Sequence, residues 1–449
     1  MRDIALLLMF IPMAAMALRY TWCGVLLWTW FSLMNPHRLT WGFAYDFQFA
    51  AIAAAATLLS MVWNRSNLRF PADGATVALI LFMFWLCITT ALAFYPGLSL
   101  PFLDRALKVL LMTLVALIAL RERKHIELFV WVTALSIGFY GLRGGLGAAA
   151  TGFQYRVWGP MGSFIADNNA IGLALVMTIP LIYYLWQVTN RRWIRYALLL
   201  LLITSALAVL GTKSRGGFVA ILFMAALLWW RAPRKILSGM VIVALAAVMI
   251  SLMSDMWVER MQTIKSYKDD TSAMQRINAW ETAINVANDR VTGAGFLIAT
   301  RDIFDRYSPN PEWVFTAHSI YFQALGEHGW IGLILFLAMG FFTLRSTWQI
   351  KRLAATRPEC QWARELAAMI QVSMVGYAVG GAFLSLSYFD LPYNLMVMAV
   401  ATKYWLREER WKEEPVGPFG ATSASQRRAA RRLRPAAATP GAAISPQAR

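Results

Sequence analysis

The sequence predicts an all-α polytopic membrane protein of about twelve transmembrane helices, with a long helical loop on the non-cytoplasmic side. Three observations carry this expectation. The 449 residues are 59% hydrophobic, with a mean hydropathy of +0.51, and a soluble chain of this size carries more charge and less continuous apolar sequence. Apolar runs of about 15–21 residues recur from end to end, each roughly long enough to cross a bilayer core as a helix. The 20 tryptophans gather near the ends of those runs, as in "LLWW" and "TKYW", and amphipathic aromatics favour the membrane–water interface.

Taken in order, the candidate membrane segments are 4–18, 20–34, 44–63, 75–95, 103–120, 126–142, 168–188, 194–212, 216–230, 236–255, 317–344, 366–386 and 389–405. The basic stretches "RERKH" (121–125), "NRRWIR" (190–195) and "RAPRK" (231–235), together with the 345–365 linker, belong in the cytoplasm by the positive-inside rule. The loops around 96–103 and 385–392 hold no Lys or Arg and fall on the opposite side. Segments 4–18 and 20–34 are short for full spans and form either a half-penetrating hairpin or a single crossing, which puts both chain ends inside. The first run resembles a secretory signal, but its leading "MRD" has almost no net charge and more spans follow, so an uncleaved anchor is expected.

This topology divides the chain into an N-terminal bundle (1–255), an outer loop (256–316), C-terminal membrane helices (317–407) and a basic cytoplasmic tail (408–449). A loop of about 60 residues is long enough to have structure of its own. Within it, "SAMQRINAWETAINVANDR" reads as an amphipathic helix, with Ser272 as N-cap, Gln275 as its capping-box partner, and Ile277, Trp280 and Ile284 on one face. "TGAGF" then ends the helix. The outer piece at 143–169 is the second sizeable loop.

The net charge of +18 does not make this a nucleic-acid binder, because Lys and Arg cluster in short inter-helix loops and in the tail. From Pro415 onward the tail holds six arginines, no acid, and much Ala, Pro and Ser, which suits a disordered segment near anionic headgroups. The three cysteines, Cys23, Cys87 and Cys360, offer no disulfide framework and no zinc spacing, and buried thiol packing is expected. No Gly-rich nucleotide loop and no convincing metal site is present in the sequence, so neither cofactor nor metal is expected.

The chemistry-bearing residues lie on the outer side. "GTKSRGG" puts Lys213 and Arg215 at the outer mouth of the bundle, against the charge bias. They are either snorkelling cations at a helix end or an anion site, where Gly216 and Gly217 bring backbone N–H groups and a helix N-terminus to a phosphate. Arg276 and Arg156 are further outer cations, each readable as merely solvated, but several together point to a lipid-linked phosphate or pyrophosphate. His318 opens the 317–344 helix, sharing a face with Tyr321, Phe322 and Leu325, and the positive end of the helix dipole disfavours an imidazolium there. A neutral imidazole beside arginines can take a proton from a hydroxyl while the arginines stabilise a departing phosphate. Glu327 and His328, deeper in the same stretch, read as packing or hydrogen-bonding residues.

Three stretches, "KSRGG", "QRINAWETAINVANDRVTGAGF" and "AHSIYFQALGEHGWIGL", together resemble the signature series of the bacterial O-antigen ligase and O-antigen polymerase superfamily. The N-terminal "LWTWFSLMNPHRLTWGFAYDFQFA" resembles the ligase branch associated with exosortase systems. The resemblance implies a GT-C-like, metal-independent inverting glycosyltransferase of the Gram-negative inner membrane with a periplasmic active site. It would move an undecaprenyl-pyrophosphate-linked glycan onto lipid A–core oligosaccharide during lipopolysaccharide maturation. By the same resemblance His318 is the general base or an acceptor-orienting residue, and Arg215 and Arg276 bind the pyrophosphate; beyond the resemblance, the outer placement of Arg156, Lys213 and Tyr321 extends that set. The family often has Asn after the histidine, whereas this chain has Ser319.

Two other enzymes fit the same motifs: an O-antigen polymerase and a protein O-oligosaccharyltransferase. A lipid-linked oligosaccharide flippase or transporter fits less well, because transporters place charges near the bilayer midplane and often show internal repeats, while these charges sit at outer helix ends.

Overall fold

A computed structural model of the chain describes residues 1–64, 70–231, 235–237, 239–240, 243–244, 247 and 271–413. The described residues are helical, without strands. Their α-helices are α1 (Arg2–Arg19), α2 (Thr21–Met34), α3 (Phe49–Trp63), α4 (Gly74–Ala91), α5 (Pro96–Ala119), α6 (Arg123–Ala150), α7 (Asn168–Val188), α8 (Arg192–Gly211) and α9 (Arg215–Arg231). After the undescribed stretch follow α10 (Thr271–Asp289), α11 (Arg301–Tyr307), α12 (Ile320–Leu353), α13 (Gln361–Gly381) and α14 (Asp390–Arg407). Five of them, α4, α6, α7, α8 and α12, are long and apolar enough to cross a membrane. Most of candidate segment 236–255, the start of the outer loop and the tail beyond 413 lie outside the described residues.

Two helices form the axis of the bundle. α7 and α14 are buried on nearly every face, α7 as a largely apolar helix and α14 with Asp390, Asn394 and Lys403 buried among its apolar residues. The other long helices pack around them into one apolar core. α1–α3 build a smaller core of their own around Phe10, Phe31 and Phe49, docked on the bundle through α2 and α6. Cys360 is buried as expected, but Cys87 points outward from α4, where an apolar thiol can face lipid.

The two ends of the bundle differ in chemistry. One end gathers the basic segments: Arg123 pairs with Glu127 at 2.7 Å and lies over the Trp362 ring, and Arg231 donates to Ala368 O and Gln371 Oε1. Arg357 sits over Trp411 in the chain's last described turn. The other end gathers the start of α5, the 151–167 loop, the Lys213 turn, α10 and the 308–318 segment. The separation agrees with the alternation of basic and non-basic loops.

Several sequence expectations need correction. The 317–344 segment is not one continuous helix. Gly329 takes φ 68° and ψ −174°, a region open only to glycine, and breaks α12 into two pieces. The basic linker is also shorter than 345–365, because α12 continues to Leu353 and α13 begins at Gln361. The amphipathic helix is present over Thr271–Asp289, and Ser272 lies inside it rather than at its cap. Its buried face is Asn278, Ala279, Thr282, Ala283, Val286 and Ala287, a stripe of small residues pressed on α12. The three larger residues of the sequence reading, Ile277, Trp280 and Ile284, are half-buried beside that stripe.

The two glycine motifs explain each other. A helix interrupted at Gly329 leaves the carbonyls just before it without their usual partners four residues on. Here Ala294 N–H donates to Gly326 O, Gly295 N–H to Glu327 O, and the Trp85 indole to His328 O. The "TGAG" turn reaches these carbonyls because Gly293 and Gly295 take positive φ and because Gly329 has no Cβ to collide with Val291 O. "TGAGF" is therefore more than a helix stop: it fills the break in α12.

Candidate functional site

The turn after α8 is built by local hydrogen bonds. Asn168 Nδ2 donates to Thr212 O, and Lys213 holds φ 55° while its ammonium donates to Gln154 O at 3.2 Å. Ser214 caps α9: its hydroxyl accepts from Gly217 N–H at 3.1 Å, and Phe218 N–H donates to its carbonyl. This places Arg215 and Gly216 in the first turn of α9, facing a cavity of about 310 Å³. The expectation that Gly217 brings its backbone to a ligand does not hold: its Cβ position faces Ser214 and Val209, so it serves packing.

The beginnings of α7 and α9 and one face of α10 meet at that cavity. α9 contributes Ser214, Arg215 and Gly216; α7 contributes Asn169, next to its Asp167 cap; α10 contributes Ser272 and Arg276. Lys213 completes the lining on one side, and Phe383 and Leu384 on the other. The starts of α7 and α9 carry partial positive charge, and with Arg215, Arg276 and Lys213 on the lining the cavity has the chemistry of an anion site. The sequence reading names Lys213, Arg215 and Arg276; the structure joins them and adds Asn169, whose signal in the sequence is the "ADNN" cap.

The "RINAW" run of α10 connects this cavity to the histidine. Arg276 and Trp280 are four residues apart, so they project from one face. Trp280 donates its indole N–H to Ala317 O at 2.6 Å and stacks on Phe322 at 4.9 Å. Asn278, between them, donates to Asn310 O and Trp313 O and accepts from Ser308 Oγ and Asn310 N–H, which fixes the "SPNPEW" loop. The 308–318 segment is thus held by the helix that carries Arg276.

His318 sits two residues before α12, not in its first turn, and takes φ 42°. A left-handed conformation at a non-glycine residue is uncommon and costs about 1–3 kcal/mol, so the surroundings must hold it in place. Its ring packs against Phe315 at 5.1 Å. Its pKa lies below the ordinary 6.5, first through burial and second through the charge of Arg276, with Asp167 opposing both. Burial and a neighbouring guanidinium, rather than the helix dipole, thus disfavour the imidazolium here.

Two residues fall outside this cluster. The Tyr321 hydroxyl donates to Ala378 O, and its ring lines an apolar groove between α12, α13 and α14. It shares no helical face with His318, because His318 is not helical. Arg156 lies over the Trp158 ring at 6.0 Å and does not line the cavity; its loop braces the site instead, with Val157 N–H donating to Gly211 O and Gln154 O accepting from Lys213.

A second cavity, of about 400 Å³, is lined in part by Thr316 and Ala317. Its polar wall is one hydrogen-bonded run: Gln323 Nε2 donates to Glu327 Oε1, Tyr388 Oη donates to Glu327 Oε2 at 2.5 Å, and His328 Nε2 meets Tyr388 Oη at 2.6 Å. His328 Nδ1 meets Thr89 Oγ1 at 2.7 Å, so both ring nitrogens are engaged. Glu327 and His328 hydrogen-bond as the sequence reading expects, yet the cavity beside Glu327, with Arg105 on its far wall, has no sequence signal: its residues come from five separate segments.

Residues 200–337 match the O-antigen ligase family, and residues 1–190 match a family of unknown function, DUF5935. No curated protein matches the chain. The ligase match takes in Lys213, Arg215, Arg276 and His318, along with both glycine motifs that meet at the break in α12. The cavity lined by Lys213, Arg215 and Arg276 thus lies largely within the stretch that matches the O-antigen ligase family, and that match supports the O-antigen ligase superfamily.

Proposed function

We propose that the protein is an inverting, metal-independent glycosyltransferase of the inner membrane. It moves an undecaprenyl-pyrophosphate-linked glycan onto lipid A–core oligosaccharide at the periplasmic face. The observation that carries this reading is the cavity where Lys213, Arg215 and Arg276 meet the starts of α7 and α9, with the charge of Arg276 felt at His318. In that reading the donor's pyrophosphate occupies the cavity, and its polyprenyl tail follows the apolar groove. The groove begins at Ile320 and Tyr321, just after His318, and runs along α12 past Phe336, Phe341 and Leu344. Tyr321 then belongs to the lipid path, and Arg156 to the support of the Lys213 turn.

The step is a single displacement. The acceptor hydroxyl oxygen bonds to the sugar's anomeric carbon, the bond from that carbon to the pyrophosphate oxygen breaks, and the hydroxyl proton passes to the His318 imidazole. Arg215 and Arg276 stabilise the charge growing on the pyrophosphate. Because the leaving group is a stable anion once bound, no protonating acid is required of the chain. Attack from the face opposite the leaving group inverts the anomeric centre. The basic end of the bundle faces the cytoplasm by the positive-inside rule, which supports a periplasmic site and a cytoplasmic C-terminus. Assignment to the exosortase-associated branch rests on the 27–50 stretch alone.

The test is reconstitution of the purified protein in lipid nanodiscs with undecaprenyl-pyrophosphate-linked glycan. Lipid A–core, a second lipid-linked glycan and an acceptor protein are each offered as acceptor. Metal-insensitive transfer to lipid A–core supports the reading. Transfer only to the second lipid-linked glycan would make the protein a polymerase, and transfer only to protein a protein O-oligosaccharyltransferase.

A further inference from the structure

We infer that the second cavity binds the acceptor sugar and that Glu327, Gln323 and Arg105 hold its hydroxyl groups. This inference rests on the glycan-transfer reading above. The cavity has the chemistry of a carbohydrate site: aromatic rings from Phe164, Phe296 and Tyr388 for the apolar faces of a sugar, and a carboxyl, an amide and a guanidinium for its hydroxyls. It is a built site. Glu327 is 6% exposed, and its carboxyl is oriented from both oxygens, by Gln323 and by Tyr388. Gln323 is in turn fixed through its carbonyl oxygen, which accepts from Ser387 N–H. Arg105 stands opposite at the open rim, its guanidinium 3.7 Å over the Phe164 ring. A volume of about 400 Å³ falls within the range of small-ligand sites.

Position selects the acceptor over the donor. The cations that suit a pyrophosphate, Lys213, Arg215 and Arg276, line the first cavity, and none of the three lines the second. Thr316 and Ala317 line the second cavity, and His318 follows them directly, within the field of Arg276 and Asp167 on the first side. In-line displacement needs the nucleophile opposite the leaving group with the base beside the nucleophile. A sugar held in the second cavity lies next to the segment that carries the base, because Thr316 and Ala317 line that cavity. Gln323 and Glu327, four residues apart, are then positioning residues for the sugar rather than groups that take its proton.

The test uses nanodisc-reconstituted protein with two variants, Glu327→Gln, which keeps size and the Tyr388 partner, and Arg105→Gln at the rim. KM and kcat are measured separately for donor and for lipid A–core. Binding of core oligosaccharide freed of lipid A is followed by tryptophan fluorescence. Removing one hydroxyl-binding group should raise the acceptor KM roughly tenfold or more and weaken oligosaccharide binding by the same factor, with the donor KM unchanged. An increase confined to the donor KM would assign the cavity to the donor glycan and overturn the inference. Normal kinetics and normal oligosaccharide binding in both variants would also overturn it. If the wild-type protein transfers nothing but binds the oligosaccharide through Glu327 and Arg105, the transferase reading fails while the sugar site stands. If it neither transfers nor binds, both fail.

Discussion

His318 combines a left-handed backbone, a half-buried ring and a guanidinium neighbour, and the three have one chemical consequence. Burial and Arg276 both disfavour the charged ring, so its pKa lies below 6.5 and it stays neutral at neutral pH. If it is the base, activity is complete above its pKa and falls as pH drops through it. The acid limb of kcat/KM should therefore have its midpoint below pH 6.5. Arg276→Gln removes one of the two depressing causes, so the midpoint should move to higher pH, while Arg276→Lys should leave it near the wild-type position. A pH–rate profile of the three proteins checks this. An unmoved midpoint in Arg276→Gln would separate His318 from the acid limb. His318 and Arg215 stand out in the sequence as polar residues at the ends of apolar runs, and Arg276 as a cation on the amphipathic helix of the outer loop. Tyr321 is not placed correctly by sequence, because helical periodicity cannot be carried across His318, two residues before the helix begins.

Among the elements, α10 and the broken α12 determine where the site residues lie. Trp280 anchors Ala317 and so sets the position of the next residue, His318. Trp280→Phe keeps the stack on Phe322 but loses the indole N–H, and should lower kcat roughly tenfold through misplacement of the base, with the protein still folded. Steady-state kinetics beside a thermal melt in detergent measures both quantities. Gly329→Ala should act differently. Its Cβ meets backbone at Val291 O, and its φ and ψ suit only glycine, so the contact with the "TGAG" turn must open. A loss of about 3 kcal/mol or more is expected, seen as a lower melting temperature. The helical character of 272–290 is legible from its 3.6-residue period. Its buried face is not, because the larger residues Ile277, Trp280 and Ile284 draw attention, whereas close approach to Gly326 requires small ones such as Ala283. The meeting of Gly293 and Gly295 with the break at Gly329 depends on tertiary pairing that no local pattern encodes.

For the molecule as a whole, apolar run length and loop charge make the helical membrane class and the two chemically distinct ends legible. Sidedness follows from the charge bias and can be measured directly. With the native cysteines replaced, Gly97→Cys adds a side chain in open space at the site end, and Glu359→Cys adds an exposed one at the basic end. A membrane-impermeant maleimide should label the position-97 variant in intact spheroplasts and the position-359 variant only after permeabilisation; the reverse pattern would invert the protein. The second cavity is not legible in the sequence, because its wall is assembled from α5, the 151–167 loop, the glycine turn, α12 and the segment before α14.

The central claim is that one anion cavity and one neutral histidine carry out glycan transfer together. Its most direct test is single-turnover transfer from a lipid-linked glycan to lipid A–core by reconstituted wild-type, Arg215→Ala, Arg276→Ala and His318→Ala proteins of matched folding. Each variant should be slower by about 10²–10³ in the transfer step. A well-folded His318→Ala protein, or either arginine variant, that transfers glycan at the wild-type rate would contradict the account.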